Sequence, residues 1–455
     1  MNRVVKRTWL MGLFVCLLLG GLCWFLFEYA VSAPKWIGSA GSSYVHAGTV
    51  GYGSVTDRSG ESLLEIGDSK SYSADPATRT STMHWLGDRQ GNISAPVISN
   101  YAADMSGYDI LNGVYDFSGL GGEMELTVSA RVQNTAMEAL AGRKGTVAVY
   151  NYKTGEILCA VSGPSYDPDN IPELTGEAYE GVFLNRFTQS AYVPGSIFKV
   201  VTTAAALDCV PDILDRTFRC DGVLPYGEER VTCEKAHGTL DLKGALAHSC
   251  NCAFAQIAEL VGRKNMNAYI KQFGITESVR FDGITTAKGN YDVSEAAPVS
   301  FAWSCIGQYT DLINPCRFMT FMGSIAGGGV GAEPYIVSSV SAGGKQVYAA
   351  ETRKTDRIVS PEVARTLREY LENNVNTIYG AGNFPGLTVC AKSGTSQLGG
   401  GKTSNAMFAG FVADEAYPLA FLVVVENGGY GASTCVPIIS KVLAECKSVL
   451  DGEGS

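Results

Sequence analysis

Hydrophobic and polar positions divide the chain into an apolar N-terminal run, a polar stretch with short strand-like segments, and a long mixed remainder. The apolar run extends from Trp9 to Phe27, carries no charged residue and follows three Lys or Arg side chains. A helix of that length spans most of a ~30 Å hydrocarbon core. Preceding basic residues place the N-terminus in the cytoplasm. We predict a cytoplasmic tip and membrane anchor over residues 1–33, and a cleaved signal peptide ending near Ala33 is the alternative.

The polar stretch over residues 34–130 is rich in Gly, Ser and Asp and holds short β-like runs. Between two of these runs lies a turn signal, Thr56 to Gly60. Residues 34–130 contain no combination of acid, base and nucleophile that would indicate catalysis. We predict a small β-rich N-terminal scaffold domain here, and we expect the chain after the anchor, including the catalytic domain, to be extracytoplasmic.

In residues 131–455 the spacing of apolar positions changes twice. Short strand-like runs come first, helical runs occupy the middle, and three strand-like runs precede a closing helix. The predicted strands cover 145–150, 156–161, 387–391, 406–412 and 419–425, and the predicted helices cover 133–140, 196–207, 242–260, 266–273 and 435–450. This order predicts an α+β domain in which first and last strands share one antiparallel sheet flanked by helices.

Composition narrows the class of protein. The chain has 455 residues, of which 46% are hydrophobic and 18% charged, so it can bury a large core. Its formal net charge of −10 argues against a nucleic-acid partner, which would need a basic surface.

The first candidate catalytic group begins a predicted helix. Ser196 follows Pro194 and Gly195, and Lys199 lies three residues later, on the same helical face. A serine hydroxyl at a helix N-terminus lies near free N–H groups and the positive end of the helix dipole. Burial and nearby cations can lower a lysine pKa enough for the amine to take the serine proton. We therefore predict Ser196 as nucleophile and Lys199 as its base.

Two further groups complete the pattern. Ser249 and Asn251 fall within apolar helical sequence, where Ser249 can relay a proton and Asn251 can hold a substrate carbonyl. The third group follows a β-run and comprises Lys392, Ser393, Gly394 and Thr395. A strand edge there can pair with an extended peptide, Gly394 permits its close approach, and the lysine and two hydroxyls can bind a terminal carboxylate. Backbone N–H groups of Ser196 and Thr395 are candidates for an oxyanion hole.

These three groups form the S-x-x-K, S-x-N and K-[ST]-G set of acyl-serine enzymes. With further segments, the chain resembles the class B penicillin-binding proteins, the monofunctional transpeptidases of peptidoglycan synthesis. The matching segments are 57–60, 79–87, 162–168, 185–187, 192–196, 305–308 and 408–411. The family typically has Thr at the position of Ile197 and often Thr at that of Ser393. The resemblance implies a penicillin-binding fold over residues 131–455, no cofactor required for catalysis, and stem peptides, β-lactams and a membrane glycosyltransferase as partners.

A cysteine-rich segment supplies a candidate metal site. Cys220, Cys233, His237 and Cys250 have the number and type of ligands that tetrahedral zinc prefers. Some elongation-type members of the family carry zinc in this segment, so the resemblance implies a structural zinc behind Ser249. A Cys220–Cys233 disulfide, or neither arrangement, remains open.

The leading hypothesis is a peptidoglycan D,D-transpeptidase that works through an acyl-serine intermediate and binds penicillin covalently. A D,D-carboxypeptidase or β-lactamase shares the same residues but needs a base that activates water. A β-lactam sensor or scaffold without turnover is the alternative outside enzymes. Transfer of a peptidyl group to an amine would exclude the sensor, and slow deacylation of a labelled penicillin would exclude a β-lactamase.

Overall fold

The computed structural model describes residues 2–37, 53–67, 70–105, 108–109, 113–114, 121–397 and 403–453. The polar residues 38–52, at the start of the predicted scaffold domain, lie outside these ranges. The α-helices are α1 Asn2–Ile37, α2 Pro76–Leu86, α3 Pro96–Asn100, α4 Ala102–Met105, α5 Ala130–Leu140, α6 Arg186–Gln189, α7 Lys199–Cys209, α8 Leu242–Ala247, α9 Asn251–Phe273, α10 Pro298–Ser304, α11 Pro315–Ala326, α12 Pro361–Asn374 and α13 Gly431–Glu453.

The strands are β1 Gly53–Thr56, β2 Ser62–Ile66, β3 Lys70–Tyr72, β4 Tyr108–Asp109, β5 Gly113–Val114, β6 Gly122–Leu126, β7 Gly145–Asn151, β8 Ile157–Gly163, β9 Phe218–Cys220, β10 Val223–Tyr226, β11 Glu229–Thr232, β12 Gly238–Leu240, β13 Arg280–Phe281, β14 Ile284–Thr285, β15 Val337–Ala342, β16 Lys345–Ala349, β17 Val389–Ser396, β18 Asn405–Val412 and β19 Leu419–Val425. The predicted strands and helices of the C-terminal region recur here, with shifts at their ends.

An antiparallel sheet forms the centre of the C-terminal region, in the order β17-β18-β19-β7-β8. Every residue of β18 and β19 is buried. The reason is that α13 packs on one face of these two strands and α11 on the other. Burying each large apolar side chain contributes about 1.5–3 kcal/mol. The first and last strands of the region therefore share one sheet, and the α+β prediction is confirmed.

Strand β17 lies at one edge of this sheet. Its outer side faces the start of α7 and the end of α12 instead of another strand. This edge is the place where the third candidate group, residues 392–395, meets Ser196.

A second sheet lies at the N-terminal side, in the order β16-β15-β6-β1-β2-β3. Strands β1 and β2 form the hairpin that the Thr56–Gly60 turn predicts. Strands β15 and β16 come from residues 337–349, so this sheet draws on both sides of residue 130. The domain boundary at that residue stays a prediction.

Polar contacts connect the N-terminal unit, which comprises the second sheet and α2, to the C-terminal region. The Asp57 carboxylate accepts a hydrogen bond from the backbone N–H of Ala130 at 2.9 Å. The Arg79 guanidinium donates two hydrogen bonds of 2.7 Å to Asp167. Such paired contacts are stronger and more directional than single ones. Two of the segments that resemble the family, 57–60 and 79–87, thus carry contacts between the two units.

Helix α1 is a candidate membrane span. Within the stretch Arg3–Ala33, the most apolar window of 18 residues has a mean hydropathy of 2.4 and contains no buried residue. By length and composition this helix can cross a membrane, as the sequence predicts.

Candidate active site

A tight approach between two glycine-containing segments places Ser196 at the edge of β17. Residues Gly195–Phe198 form a 3₁₀ turn, and α7 continues from Lys199. Gly195 has φ +55°, and a Cβ there would lie 2.7 Å from the carbonyl oxygen of Thr395. A Cβ at Gly394 would lie 2.8 Å from the carbonyl oxygen of Pro194. The backbone before α7 and the backbone of β17 are so close that a side chain would clash at either position. Glycine is therefore required at both.

The amine of Lys199 is the centre of the site. Its Nζ lies 3.0 Å from Ser196 Oγ and 3.1 Å from Ser249 Oγ. It also lies 2.7 Å from the carbonyl oxygen of Ser249 and 2.7 Å from Asn251 Oδ1. The side chain is fully buried. The structure therefore brings the first two candidate groups together around one nitrogen.

The partners of Lys199 suit a neutral amine. Two of them, the Ser249 carbonyl and Asn251 Oδ1, can only accept hydrogen bonds. A neutral amine donates its two hydrogens to these atoms and keeps its lone pair for a hydroxyl. Desolvation by burial, followed by repulsion from Lys392, lowers the pKa of Lys199 well below its usual value. Geometry and electrostatics both favour a base next to Ser196.

Ser249 sits in a turn, which corrects the sequence prediction of one continuous helix over 242–260. Helix α8 ends at Ala247 and α9 begins at Asn251. Ser249 has φ +53°, an uncommon conformation for a residue with a side chain. The turn aims both its carbonyl and its hydroxyl at Lys199. A hydrophobic pattern cannot reveal such a break, because both helices bury residues on either side of it.

Both ends of the Asn251 amide are engaged. Its oxygen accepts from Lys199, and its Nδ2 donates to the carbonyl oxygen of Thr232 at 2.9 Å. One hydrogen on Nδ2 has no partner among the described residues, so a substrate carbonyl can still bind there. Asn251 thus also joins Lys199 to the end of β11.

Lys392 supplies a second buried amine. Its Nζ donates to Ser249 Oγ at 3.0 Å and to the carbonyl oxygen of Ser393 at 2.9 Å. Burial lowers the pKa of Lys392 to about 7. The third candidate group therefore joins the other two through the hydroxyl of Ser249.

The hydroxyls of Ser393 and Thr395 face a cavity of about 480 Å³, which Ser196, Ser249 and Asn251 also line. Thr395 Oγ1 accepts a hydrogen bond from the backbone N–H of Gly431 at 3.1 Å. Glu234, Trp303 and Tyr430 also line this wall, on separate loops or helices, and no local pattern marks them. Gln308 lines it too and ends the 305–308 segment that resembles the family.

The cysteine cluster converges behind Ser249. Cys233 Sγ lies 3.9 Å from Cys250 Sγ and 3.4 Å from His237 Nδ1, and Cys220 Sγ lies 3.6 Å from the same nitrogen. All four ligand atoms lie within 4.8 Å of one another. Ligands at zinc bond lengths of ~2.0–2.3 Å on a tetrahedron are about 3.5–3.8 Å apart, so this donor set fits zinc. Cys220 and Cys233 are free thiols, so the structure does not contain the alternative disulfide.

Comparison with known proteins decides the family. The profile of the penicillin binding protein transpeptidase domain matches residues 145–444. This chain belongs to that family. Peptidoglycan D,D-transpeptidase PbpA of Mycobacterium tuberculosis is 27% identical over 368 residues, which cover 73% of each chain. The recognition as a class B penicillin-binding protein is confirmed.

Solved structures of penicillin-binding proteins share the fold. The D,D-transpeptidase domain of a peptidoglycan glycosyltransferase from Eggerthella lenta superposes with a TM-score of 0.76 at 24% identity, covering 88% of this chain and 99% of the other. Penicillin-binding protein A of M. tuberculosis, solved as a penicillin G acyl-enzyme complex, gives 0.71 at 22% identity, covering 88% and 100%. The predicted penicillin-binding fold is thus confirmed.

Proposed function

We propose that this penicillin-binding protein cross-links peptidoglycan stem peptides, with Ser196 as its nucleophile. The observation that carries the proposal is the 3.0 Å contact between Ser196 Oγ and a buried amine, Lys199, whose two hydrogens have other acceptors. The relatives' name, peptidoglycan D,D-transpeptidase, supports the same activity.

The reaction has two acyl transfers. Ser196 Oγ attacks the carbonyl carbon of the penultimate D-Ala while Lys199 takes the hydroxyl proton. The C–N bond then breaks, and the terminal D-Ala leaves as an amine after receiving that proton through Ser249. An acceptor amine attacks the ester carbon and loses a proton to Lys199. The ester C–O bond then breaks, and Lys199 passes that proton to Ser196 Oγ, which regains its hydroxyl form. A β-lactam enters the first step but leaves a stable acyl-enzyme.

The remaining residues bind the substrate. Asn251 Nδ2 donates to a substrate carbonyl, while the N–H groups of Ser196 and Thr395 stabilise the oxyanion. Lys392, Ser393 and Thr395 bind the terminal carboxylate, and Gly394 admits the peptide to the strand edge. Among the described residues that line the cavity, the carboxylate is Glu234, and its side chain is exposed, so this lining offers no buried carboxylate as a base for water.

The direct test offers the full chain in detergent a D-Ala-D-Ala donor with and without an amine acceptor. We expect release of D-Ala and formation of the amide product, both lost in Ser196→Ala. Hydrolysis with no amide product would instead indicate a carboxypeptidase, and acylation without any turnover would indicate a sensor.

We also propose that Cys220, Cys233, His237 and Cys250 hold a structural zinc. Zinc would tie β9 and the 233–237 loop to the start of α9, next to Ser249, and add folding energy there. The test is metal analysis of the purified chain. We expect about one zinc per chain, lost in Cys250→Ala and kept in the matched variant Cys316→Ala, whose thiol is equally buried but lies in α11. Metal-free protein with full stability would contradict the site.

For localisation, we propose a single-pass membrane protein with its N-terminus in the cytoplasm and its catalytic region outside. The apolar stretch Arg3–Ala33 and the basic residues before it support this topology. A membrane glycosyltransferase that supplies the glycan strands is the proposed partner. Cysteine labelling from either side of the membrane tests the orientation.

A further inference from the structure

Tyr379 contacts β17 at Ser393, within the proposed carboxylate-binding edge. Its hydroxyl oxygen lies 2.9 Å from the backbone nitrogen of Ser393 and 3.0 Å from Ser393 Oγ. The ring is buried and packs edge-on against Phe408, with centroids 5.1 Å apart. No sequence pattern marks this residue, and the reaction described above does not use it.

The backbone explains how Tyr379 reaches this edge. After α12 the chain makes one π-helical turn over Val375–Tyr379, and Gly380 then ends it at φ +83°. Such π turns often occur at functional sites because an extra residue re-aims a side chain. Asn374 fixes the turn to the strand, since its Nδ2 donates to the carbonyl oxygen of Ala391 at 3.1 Å.

The hydrogen bonds can be assigned from their donors and acceptors. The Ser393 N–H must donate, so the Tyr379 oxygen accepts that bond. Among the described residues, Ser393 Oγ is the acceptor available to the Tyr379 O–H. Burial also raises the pKa of Tyr379, so the hydroxyl keeps its proton. Ser393 Oγ therefore accepts, and its own hydrogen is free to point elsewhere.

Thr395 shows the same arrangement two residues along the strand. Its Oγ1 accepts from the N–H of Gly431, which leaves its hydrogen free as well. Both side chains line the cavity. Two hydroxyls on one side of an edge strand, each held as an acceptor, present two hydrogens to a single anion.

We propose that Tyr379 is a positioning residue for carboxylate recognition: it orients the Ser393 hydroxyl so that its hydrogen points at the substrate's terminal carboxylate. This inference rests on the proposed function, in which that carboxylate binds at residues 392–395. It assigns Tyr379 a role through Ser393, without contact to substrate.

The test compares a β-lactam that has a free carboxylate with one that lacks the charge. The second-order acylation rate of the full chain in detergent is measured with benzylpenicillin and with its methyl ester. Tyr379→Phe keeps the ring and removes the hydroxyl. We expect it to slow benzylpenicillin about tenfold, the size of one weakened hydrogen bond to a charged group, and the ester less than about twofold. Tyr370→Phe, at a buried tyrosine in the preceding helix α12, should change neither rate.

A double variant separates positioning from general support of the strand. Ser393→Ala should lower the rate of acylation by benzylpenicillin at least as much as Tyr379→Phe does. The double variant should lower that rate no more than Ser393→Ala alone. An equal fall in the acylation rate with benzylpenicillin and with its methyl ester would overturn the inference. So would a double variant in which the rate reductions of the two single variants multiply. Failure of the unmodified protein to react with benzylpenicillin would instead reject the proposed function.

Discussion

Lys199 and Lys392 share one hydroxyl: their Nζ atoms lie 3.1 and 3.0 Å from Ser249 Oγ. Both side chains are fully buried, so two ammonium groups there would repel each other at low dielectric. Burial lowers the pKa of both amines, and the presence of Lys392 lowers that of Lys199 further. The arrangement favours the neutral form of Lys199 beside Ser196.

Lys199→Arg should reduce acylation strongly. Arginine is also a long basic side chain, but it is always charged and does not deprotonate. We expect the second-order rate with a fluorescent penicillin to fall by ~10²–10⁴, the usual cost of losing a general base. The variant should keep its fold by circular dichroism. Acylation within a few fold of the unmodified protein would point to another base.

The depressed pKa of Lys392 predicts how stability varies with pH. The folded protein releases this proton near pH 7, whereas the unfolded chain holds it up to about pH 10.4. Between these values the unfolded state binds more protons, so stability rises with pH, by up to about 1.4 kcal/mol per pH unit. Below pH 7 both states hold the proton and this contribution to the slope disappears.

Lys392→Met provides the comparison for that slope. Thermal unfolding of both proteins from pH 7 to pH 9 should show a smaller rise for the variant, which should also lose carboxylate recognition. Parallel curves for the two proteins would contradict a depressed pKa at this lysine.

The buried ion pair next to the nucleophile segment should matter for stability. Arg186 Nε and the Tyr192 hydroxyl each donate to Glu426 Oε1 at 2.8 Å. Arg186→Met would leave a carboxylate that is only about one quarter exposed without its cation. We expect a loss of about 2–4 kcal/mol in the free energy of unfolding. Lys153→Met, which removes an exposed pair, serves as the control and should have no measurable effect.

The membrane anchor should be separable from the catalytic region. The most apolar window of helix α1 is exposed. A fragment that starts near residue 35 should be soluble and acylate at the rate of the full chain, which should partition into membranes. Recovery of mature, membrane-free protein starting at residue 34 would support a cleaved signal peptide.

The sequence predicts well the order of elements and the residues that come together at the candidate site, because both depend on local patterns. Strand β19 has the predicted limits 419–425, and the three motif groups meet at Ser249. The break at Ser249 is not predictable, since helical periodicity continues on either side of it. Tyr379 is not predictable either, because its role depends on a π turn that brings it to a strand far along the chain.

The set of strands that form the N-terminal sheet is also not predictable from the sequence. Strands β1 to β3 come from the predicted scaffold region, but β15 and β16 join them from residues 337–349. Strand pairing between distant segments depends on the packing of the whole chain and leaves no local signal.

The most direct measurement of the central claim is mass mapping of the protein after reaction with penicillin. The structure places Ser196 Oγ 3.0 Å from the buried amine of Lys199, so the acyl group should appear on the peptide that contains Ser196. Ser196→Ala should abolish the adduct while leaving the unfolding temperature near that of the unmodified protein. An adduct on any other serine, or labelling that persists in Ser196→Ala, would contradict the account.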